Sequence, residues 1–178
     1  MALIYTRHGE TEWNLLGKIQ GREDIPLSEK GKEQANQLKK ELAEEKIDII
    51  YCSPLQRAYQ TALIVKGTRD IPLIKDDRII EMNYGIYDGR QKDDSGLMKQ
   101  RTLFAQRYPE GESYLDVAKR IYSFLDELKK NHPDDNIMIV AHLGISRIVN
   151  SYFHPMTNEE FIGFRIKNCQ PVRYCFKK

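Results

Sequence analysis

The sequence predicts an α/β fold in which a mostly parallel central sheet lies between helices on both faces, a three-layer sandwich. Two observations support this prediction. Apolar, β-branched segments alternate along the chain with segments whose apolar residues recur at helical spacing. One segment, residues 137–141, is apolar at every position, as expected for a central strand that is covered on both faces.

The predicted strands are short apolar runs that end in polar turns. They lie at residues 2–6, 47–52, 72–75 and 137–141. The tail over residues 164–178 is expected to add one or two further strands.

The predicted helices lie between these strands. They cover about residues 29–45, 54–67, 113–131 and, after the turn at 142–144, the segment up to about 153. Ser28 is suited to cap the first of these helices, and Ser113 forms a capping pair with Asp116 at the start of the third. Pro54 follows the second strand, and proline suits the first position of a helix.

Residues 76–112 carry a mixed and polar sequence. We expect loops there, with a surface helix near 97–107, and we name residues 86–112 the cap segment. A chain of 178 residues is close to the typical length of one domain, about 150 residues, and it contains no repeat or linker. Residues 1–178 are therefore predicted to form a single domain with a short cap.

The composition argues against several classes of protein. With 28 basic and 26 acidic residues, the net charge of +2 gives no field that attracts nucleic acid. A mean hydropathy of −0.60, without a long apolar run, argues against a membrane span. Three cysteines without a Cys-x-x-Cys pair argue against a disulfide framework and a cysteine-rich zinc site. We expect a cytoplasmic protein with no membrane or nucleic-acid partner, while its oligomeric state stays open.

Two predicted strands end at a histidine, His8 after the first strand and His142 after the strand at 137–141. Arg7 stands beside His8, and Arg57 lies on the first turn of the helix after the second strand. Because ligands of open α/β sheets bind beyond the carboxyl ends of the strands, we expect these side chains to meet at one edge. Guanidinium groups and helix N-termini bind phosphate oxygens, so the sequence predicts a site for a phosphate dianion.

This set of residues fits phosphoryl transfer. A neutral imidazole is a good nucleophile, and two arginines with a second imidazole can stabilise the phosphoryl oxygens without a metal. A departing alkoxide needs a proton, which Glu81 can supply, although Asp76, Asp77 and Asp88 are nearby alternatives. No glycine-rich nucleotide-binding pattern is present, so we expect no cofactor and no metal.

Five blocks of the sequence are informative together. They are Arg7-His8-Gly9-Glu10-Thr11 with Trp13-Asn14, Gly21-Arg22 to Pro26-Leu27-Ser28 with Gly31, Ser53-Pro54-Leu55-Gln56-Arg57-Ala58 with Thr61-Ala62, Pro109-Glu110-Gly111-Glu112-Ser113, and Val140-Ala141-His142. In this order, over residues 3–150, they resemble the signature of the histidine phosphatase superfamily, in its phosphoglycerate-mutase-like branch.

The resemblance implies a role for each matched residue. His8 would be the phosphorylated nucleophile, and Glu81, four residues before Gly85, would be the proton donor. The phosphoryl group would be contacted by Arg7, Asn14, Arg57 and His142.

Three further positions depend on the family comparison. Gln20 lies in the family's variable substrate loop. Leu143 departs from the family, in which glycine is common, and its side chain would narrow the pocket while its N–H is retained. Asn14 could instead serve only to stabilise a turn.

Basic residues recur in the cap segment at Arg90, Lys92, Lys99, Arg101 and Arg107. A solvated helix face is the simpler interpretation. The alternative is a rim that attracts the rest of an anionic substrate.

The family contains both mutases and phosphatases. Mutases of this type carry Arg-His-Tyr after the acidic residue and a long insertion before the second histidine. Here Met82-Asn83-Tyr84 follows Glu81, and positions 81 and 142 are only 61 residues apart. A short cap favours hydrolysis, because a mutase must exclude water.

We therefore predict metal-independent hydrolysis of a small phosphorylated metabolite through a phosphohistidine. The alternatives are phosphoryl transfer of the phosphoglycerate-mutase type and a non-catalytic phosphate-binding module.

Overall fold

A computed structural model describes residues 2–176, and it confirms the three-layer sandwich around a mostly parallel sheet. The five strands are β1 (Ala2–Arg7), β2 (Ile49–Cys52), β3 (Leu73–Lys75), β4 (Asn136–Ala141) and β5 (Pro171–Cys175). Their order in the sheet is β3-β2-β4-β1-β5. All neighbours are parallel except β5, which runs antiparallel to β1 at one edge. The segment from residue 164, for which one or two strands are predicted, therefore contributes one strand, β5, within the described residues.

Helices cover both faces of this sheet. They are α1 (Glu12–Leu15), α2 (Glu29–Glu41), α3 (Gln56–Lys66), α4 (Ser95–Gln100), α5 (Tyr114–Asn131), α6 (Leu143–Phe153) and α7 (Asn158–Gly163). Two short 3₁₀ turns lie at Asp77–Ile79 and Gly85–Tyr87. No helix among residues 2–176 is both long and apolar enough to cross a membrane.

Strand β4 shows how the sheet divides the core. Ile137 and Ile139 pack on the face that α5 and α6 cover, while Met138 and Val140 pack on the face that α2 and α3 cover. All four side chains are fully buried. Burying an aliphatic side chain contributes about 1.5–3 kcal/mol, so this strand stabilises both layers at once.

The structure corrects three predicted helix bounds. Helix α2 ends at Glu41 rather than near residue 45. Helix α3 begins at Gln56 rather than at Pro54, because Leu55 is extended and Asp24 Oδ1 accepts a hydrogen bond from the Gln56 N–H at 2.6 Å. A distant loop thus supplies the cap. The helix expected near 97–107 covers only Ser95–Gln100, after which turns continue.

Candidate active site

The predicted site lies where parallel strands β1 and β4 end. His8 follows β1, and His142 follows β4. The His8 N–H donates to the Ala141 carbonyl at 2.9 Å, which extends the sheet pairing into the turn. As a result the two imidazole rings lie with their centroids 5.2 Å apart.

Two glycines bring the turn after β1 directly against the start of α2. A Cβ on Gly9 would stand 2.4 Å from the Gly31 carbonyl oxygen, and one on Gly31 would stand 2.1 Å from the Glu10 carbonyl oxygen. The Gly9 N–H also donates to the Thr61 hydroxyl of α3 at 3.0 Å. Backbone packing therefore fixes the residues next to His8.

The imidazole of His8 has one nitrogen engaged. Its Nδ1 lies 2.7 Å from the Gly9 carbonyl oxygen, which can only accept, so Nδ1 carries the proton and donates. Nε2 of the neutral ring therefore keeps its lone pair. Burial, followed by the charges of Arg57 and Arg7, holds the pKa of His8 well below its usual value, so the neutral ring prevails at pH 7.

His142 is fully buried beside His8. Its Nε2 lies 2.7 Å from the Ser53 hydroxyl, whose oxygen already accepts from the Leu55 N–H. Ser53 can thus donate to Nε2, which places the ring proton on Nδ1. Burial, then Arg57 and His8, lowers the pKa of His142. Within the described residues Nδ1 has no partner, so a buried donor is left for an anionic ligand.

Tyr5 fixes the backbone of His142. The Tyr5 hydroxyl donates to the His142 carbonyl at 2.6 Å and accepts from the His142 N–H at 3.0 Å. This buried tyrosine holds the residue at the point where β4 ends and α6 begins.

The loop before α2 orients the guanidinium of Arg57. Its terminal nitrogens donate to the Glu23 carbonyl at 2.6 Å and to the Gly21 carbonyl at 2.8 Å. Burial lowers the pKa of Arg57 to about 10, so the group is still charged at pH 7. Burial also lowers the pKa of Arg7. The Nε atoms of both arginines are buried without a partner among residues 2–176.

The carboxyl of Glu81 is held by two backbone amides. It accepts from the Met82 N–H at 2.9 Å and from the Gly144 N–H, at the start of α6, at 3.2 Å. Of the alternative acids, Asp76 pairs with Arg78 at 2.7 Å, and none of Asp76, Asp77 and Asp88 lines the inner cavity described next.

All but one of the predicted residues line a single inner cavity of about 90 Å³, the volume of roughly three water molecules. They are Arg7, His8, Asn14, Gln20, Arg57, Glu81 and Leu143. His142 is the exception and adjoins His8. Asn14 also has the structural role considered above, since its Oδ1 accepts from the Thr11 N–H in the capping box of α1.

The family model that matches this chain is that of the histidine phosphatase superfamily (branch 1), and it covers residues 3–178. The chain belongs to this superfamily. It is 38% identical over 156 residues to phosphoserine phosphatase 1 of Hydrogenobacter thermophilus, a match over 79% of this chain and 70% of the relative. It is 32% identical over 188 residues to a 2,3-bisphosphoglycerate-dependent phosphoglycerate mutase of Bartonella tribocorum, over 98% and 91% of the two chains.

A solved phosphoserine phosphatase of Entamoeba histolytica, in complex with phosphoserine, has the same fold. It superposes with a TM-score of 0.86 at 30% identity, over 99% of this chain and 91% of that one. The resemblance found in the sequence is thereby confirmed, and the chain is an enzyme of the histidine phosphatase superfamily.

Several residues that line the inner cavity of this phosphatase were not among the predicted ones. They are Lys18, Ile19, Gly21, Tyr84, Arg101 and Arg147. Arg147 carries a signal that could have identified it, because it lies four residues after Leu143 and so shares a face of α6 with it. Arg101 belongs to the basic run of the cap segment, for which a substrate rim is one of the two interpretations, whereas Lys18 carries no such signal because loop packing places it.

A larger cavity, of about 570 Å³, lies along β5 and is lined mainly by aromatic side chains. It contains none of the predicted site residues. Residues 2–176 contain no group of three or more histidine, cysteine, aspartate or glutamate side chains arranged to hold a metal ion.

Proposed function

We propose that this phosphatase hydrolyses phosphomonoesters of small metabolites through a phosphohistidine on His8. One observation carries the proposal. Nδ1 of His8 donates a hydrogen bond to the Gly9 carbonyl, so the lone pair of Nε2 is free to act as a nucleophile. His8 lines the same cavity as Arg7, Arg57 and Glu81. A module that only binds phosphate needs neither a nucleophile nor an acid.

In the first step, Nε2 of His8 attacks phosphorus, and the bond between phosphorus and the ester oxygen breaks. The leaving oxygen takes a proton from the Glu81 carboxyl. Arg7 and Arg57 neutralise the phosphoryl oxygens, and Nδ1 of His142 donates to one of them. The two guanidinium groups and this neutral donor supply the stabilisation that a metal ion gives in other phosphoryl-transfer sites, so we propose a metal-independent reaction.

In the second step, water attacks phosphorus while the Glu81 carboxylate takes one of its protons. The phosphorus–nitrogen bond breaks, its electron pair returns to Nε2 of His8, and inorganic phosphate leaves. Asn14 and Gln20 are proposed to contact the phosphoryl group, and Leu143 narrows the cavity beside it.

Replacement of the proposed nucleophile tests this function. His8→Ala should lower the turnover of 4-nitrophenyl phosphate by at least about 10³-fold and should abolish labelling by a ³²P-phosphomonoester. His154→Ala is the control, because His154 is an exposed histidine at the end of α6. A chelator should leave the wild-type rate unchanged. Retained turnover in His8→Ala would show that another group attacks phosphorus.

Phosphoglycerate-mutase-type transfer is the second candidate, and the match to the Bartonella mutase favours it. Incubation with 3-phosphoglycerate separates the two functions. Release of inorganic phosphate faster than formation of 2-phosphoglycerate supports hydrolysis, and the opposite order supports the mutase.

A further inference from the structure

The inner cavity opens beside a second, outer cavity of about 400 Å³ whose lining is strongly cationic. Six basic residues line it: Arg7, Lys18, Lys92, Arg101, Arg147 and Arg165. Glu10 is the one acidic residue on this lining within the part of the chain that the structure describes. Glu10 already has partners, because Lys30 lies 3.4 Å from its carboxylate and the Ser28 hydroxyl contacts it.

Three arginines of the outer cavity come from separate parts of the chain. Arg101 follows α4, Arg147 belongs to α6, and Arg165 precedes β5. Burial, and next the charges of Arg147 and Arg101, lowers the pKa of Arg165. Arg165 is therefore close enough to Arg147 and Arg101 for their charges to act on it, and the fold holds the three guanidinium groups around one cavity.

Backbone carbonyls, rather than carboxylates, hold these guanidinium groups. Arg147 Nε donates to the Phe164 carbonyl at 3.3 Å, and Arg165 donates to the same oxygen at 2.9 Å. Arg101 donates to the Lys92 carbonyl at 3.4 Å, and its buried Nε has no partner among residues 2–176. Their positive charge is thus left without a protein counter-ion in the described residues.

Other basic residues of the cap segment behave differently. Arg107 pairs with Asp116 at 2.8 Å, and Arg90 pairs with Asp94 at 3.6 Å. Lys99 is exposed and lies on neither cavity. The cap segment therefore divides into residues that are neutralised or solvated and two, Lys92 and Arg101, that face the outer cavity.

We infer that the outer cavity binds a second anionic group of the substrate, a carboxylate or another phosphate. The inference rests on the proposed function, in which Arg7 and Arg57 already neutralise the transferred phosphoryl group. Arg101 and Arg147 line both cavities, so a second acid a few bonds from phosphorus reaches them. Substrates would then be small phosphomonoesters that carry a further negative charge, and Arg165 would be a specificity-determining residue.

Two matched pairs of substrates test this inference. O-phosphoserine and phosphoethanolamine differ by one carboxylate, and ethylene glycol bisphosphate and 2-hydroxyethyl phosphate differ by one phosphate. In the wild type, kcat/KM should be at least about tenfold higher for the member of one pair that carries the second acid, because a charge-assisted hydrogen bond contributes that much. The pair with the larger ratio identifies the second group.

Variants then locate the effect. Arg165→Gln, which changes a residue outside the inner cavity, should lower that ratio about tenfold, mainly through KM, while kcat/KM for the member without the second acid changes less than twofold. Arg107→Gln, the matched control in the cap segment, should leave the ratio unchanged. Equal kcat/KM within both wild-type pairs, or equal losses on both members in Arg165→Gln, would overturn the inference and leave the proposed hydrolysis standing.

A binding measurement keeps this test independent of turnover. Calorimetric titration of His8→Ala should give a Kd at least about tenfold lower for the member that carries the second acid. Arg165→Gln in that background should remove the difference. If the wild type hydrolyses no phosphomonoester but this binding preference is found, the proposed function fails and the outer site stands. Equal Kd values within both pairs would refute the outer site.

Discussion

At the scale of single residues, the site depends on hydrogen bonds that engage one atom of a group and leave another free. His8 donates through Nδ1 and keeps Nε2 available, whereas His142 has its Nε2 at Ser53 and its Nδ1 unpaired in the described residues. Burial and neighbouring arginines lower the pKa of both rings. Two histidines therefore take different roles, a nucleophile and a hydrogen-bond donor, because their rings have different hydrogen-bond partners.

The proposed acid can be tested through the leaving group of the substrate. Glu81→Gln keeps the shape of the side chain but removes its proton chemistry. We expect kcat to fall about 10²–10⁴-fold for alkyl phosphates and less than about tenfold for aryl phosphates, whose leaving groups scarcely need a proton. Asp77→Asn is the control, because Asp77 is exposed nearby. Equal losses on both substrate classes would point to another acid.

At the scale of elements, hydrophobic periodicity was enough to predict those that build the core. The apolar residues that recur at helical spacing along α5 (Val117, Ile121, Phe124, Leu125 and Leu128) are all buried in the structure. Its predicted capping box forms as well, with Asp116 in the place of the more usual glutamate.

The elements that were missed are too short to have a period. Helices α1 and α7 contain four and six residues and depend on capping boxes at Thr11 and Thr157. The start of α3 was misplaced because its cap, Asp24, lies 32 residues earlier in the chain. A contact of that kind exists only after the chain has folded.

Helix α6 offers a test of how an element positions the proposed acid. A Cβ on Gly144 would stand 2.4 Å from Glu81 Oε1, so Gly144→Ala should displace the carboxyl. We expect kcat on alkyl phosphates to fall about tenfold or more, with a change in unfolding free energy below about 2 kcal/mol.

Gly163→Ala is the matched control for this experiment. It also places a methyl group on a helical glycine, but nothing lies within 4 Å of its Cβ. Its activity should equal that of the wild type. If Gly144→Ala is fully active while properly folded, the contact with Gly144 does not set the position of Glu81.

At the scale of the whole molecule, the rule that ligands bind beyond the carboxyl ends of parallel strands was sufficient to predict the inner cavity. Strand order brings His8 and His142 together, and α3 with the carbonyls of Gly21 and Glu23 places Arg57 beside them. The outer cavity could not be predicted in this way, because α6, the segment after α4 and the segment before β5 each contribute one arginine to it. Its position depends on the packing of the cap segment on the sandwich.

Asp88 joins the cap segment to the loop that holds Arg57. Its carboxylate accepts from the Arg22 N–H at 3.3 Å and lies against Gly21, where a Cβ would stand 1.8 Å from Oδ1. Burial raises the pKa of Asp88 to about 6, helped by the charges of Glu23 and Glu81 and opposed by the hydrogen bond from Arg22.

This pKa gives stability a defined dependence on pH. Between the usual aspartate pKa of 3.8 and about 6, the folded protein binds the Asp88 proton more tightly than the unfolded chain does, so the ionised carboxylate costs stability above pH 6. Asp88→Asn should therefore raise the free energy of unfolding at pH 8 by about 1 kcal/mol. The gain is smaller than the roughly 3 kcal/mol that a shift of this size carries, because solvent reaches part of the carboxyl.

Urea denaturation at pH 4, 6 and 8 measures this difference. The gain from Asp88→Asn should be largest at pH 8 and small at pH 4, where the folded carboxyl is protonated and the unfolded one is already partly protonated. Asp93→Asn, an exposed aspartate of the same cap segment, should show no such trend. If Asp88→Asn were less stable than the wild type at pH 8, the charge on Asp88 would stabilise the contact between the cap segment and the loop at residues 21–22 rather than weaken it.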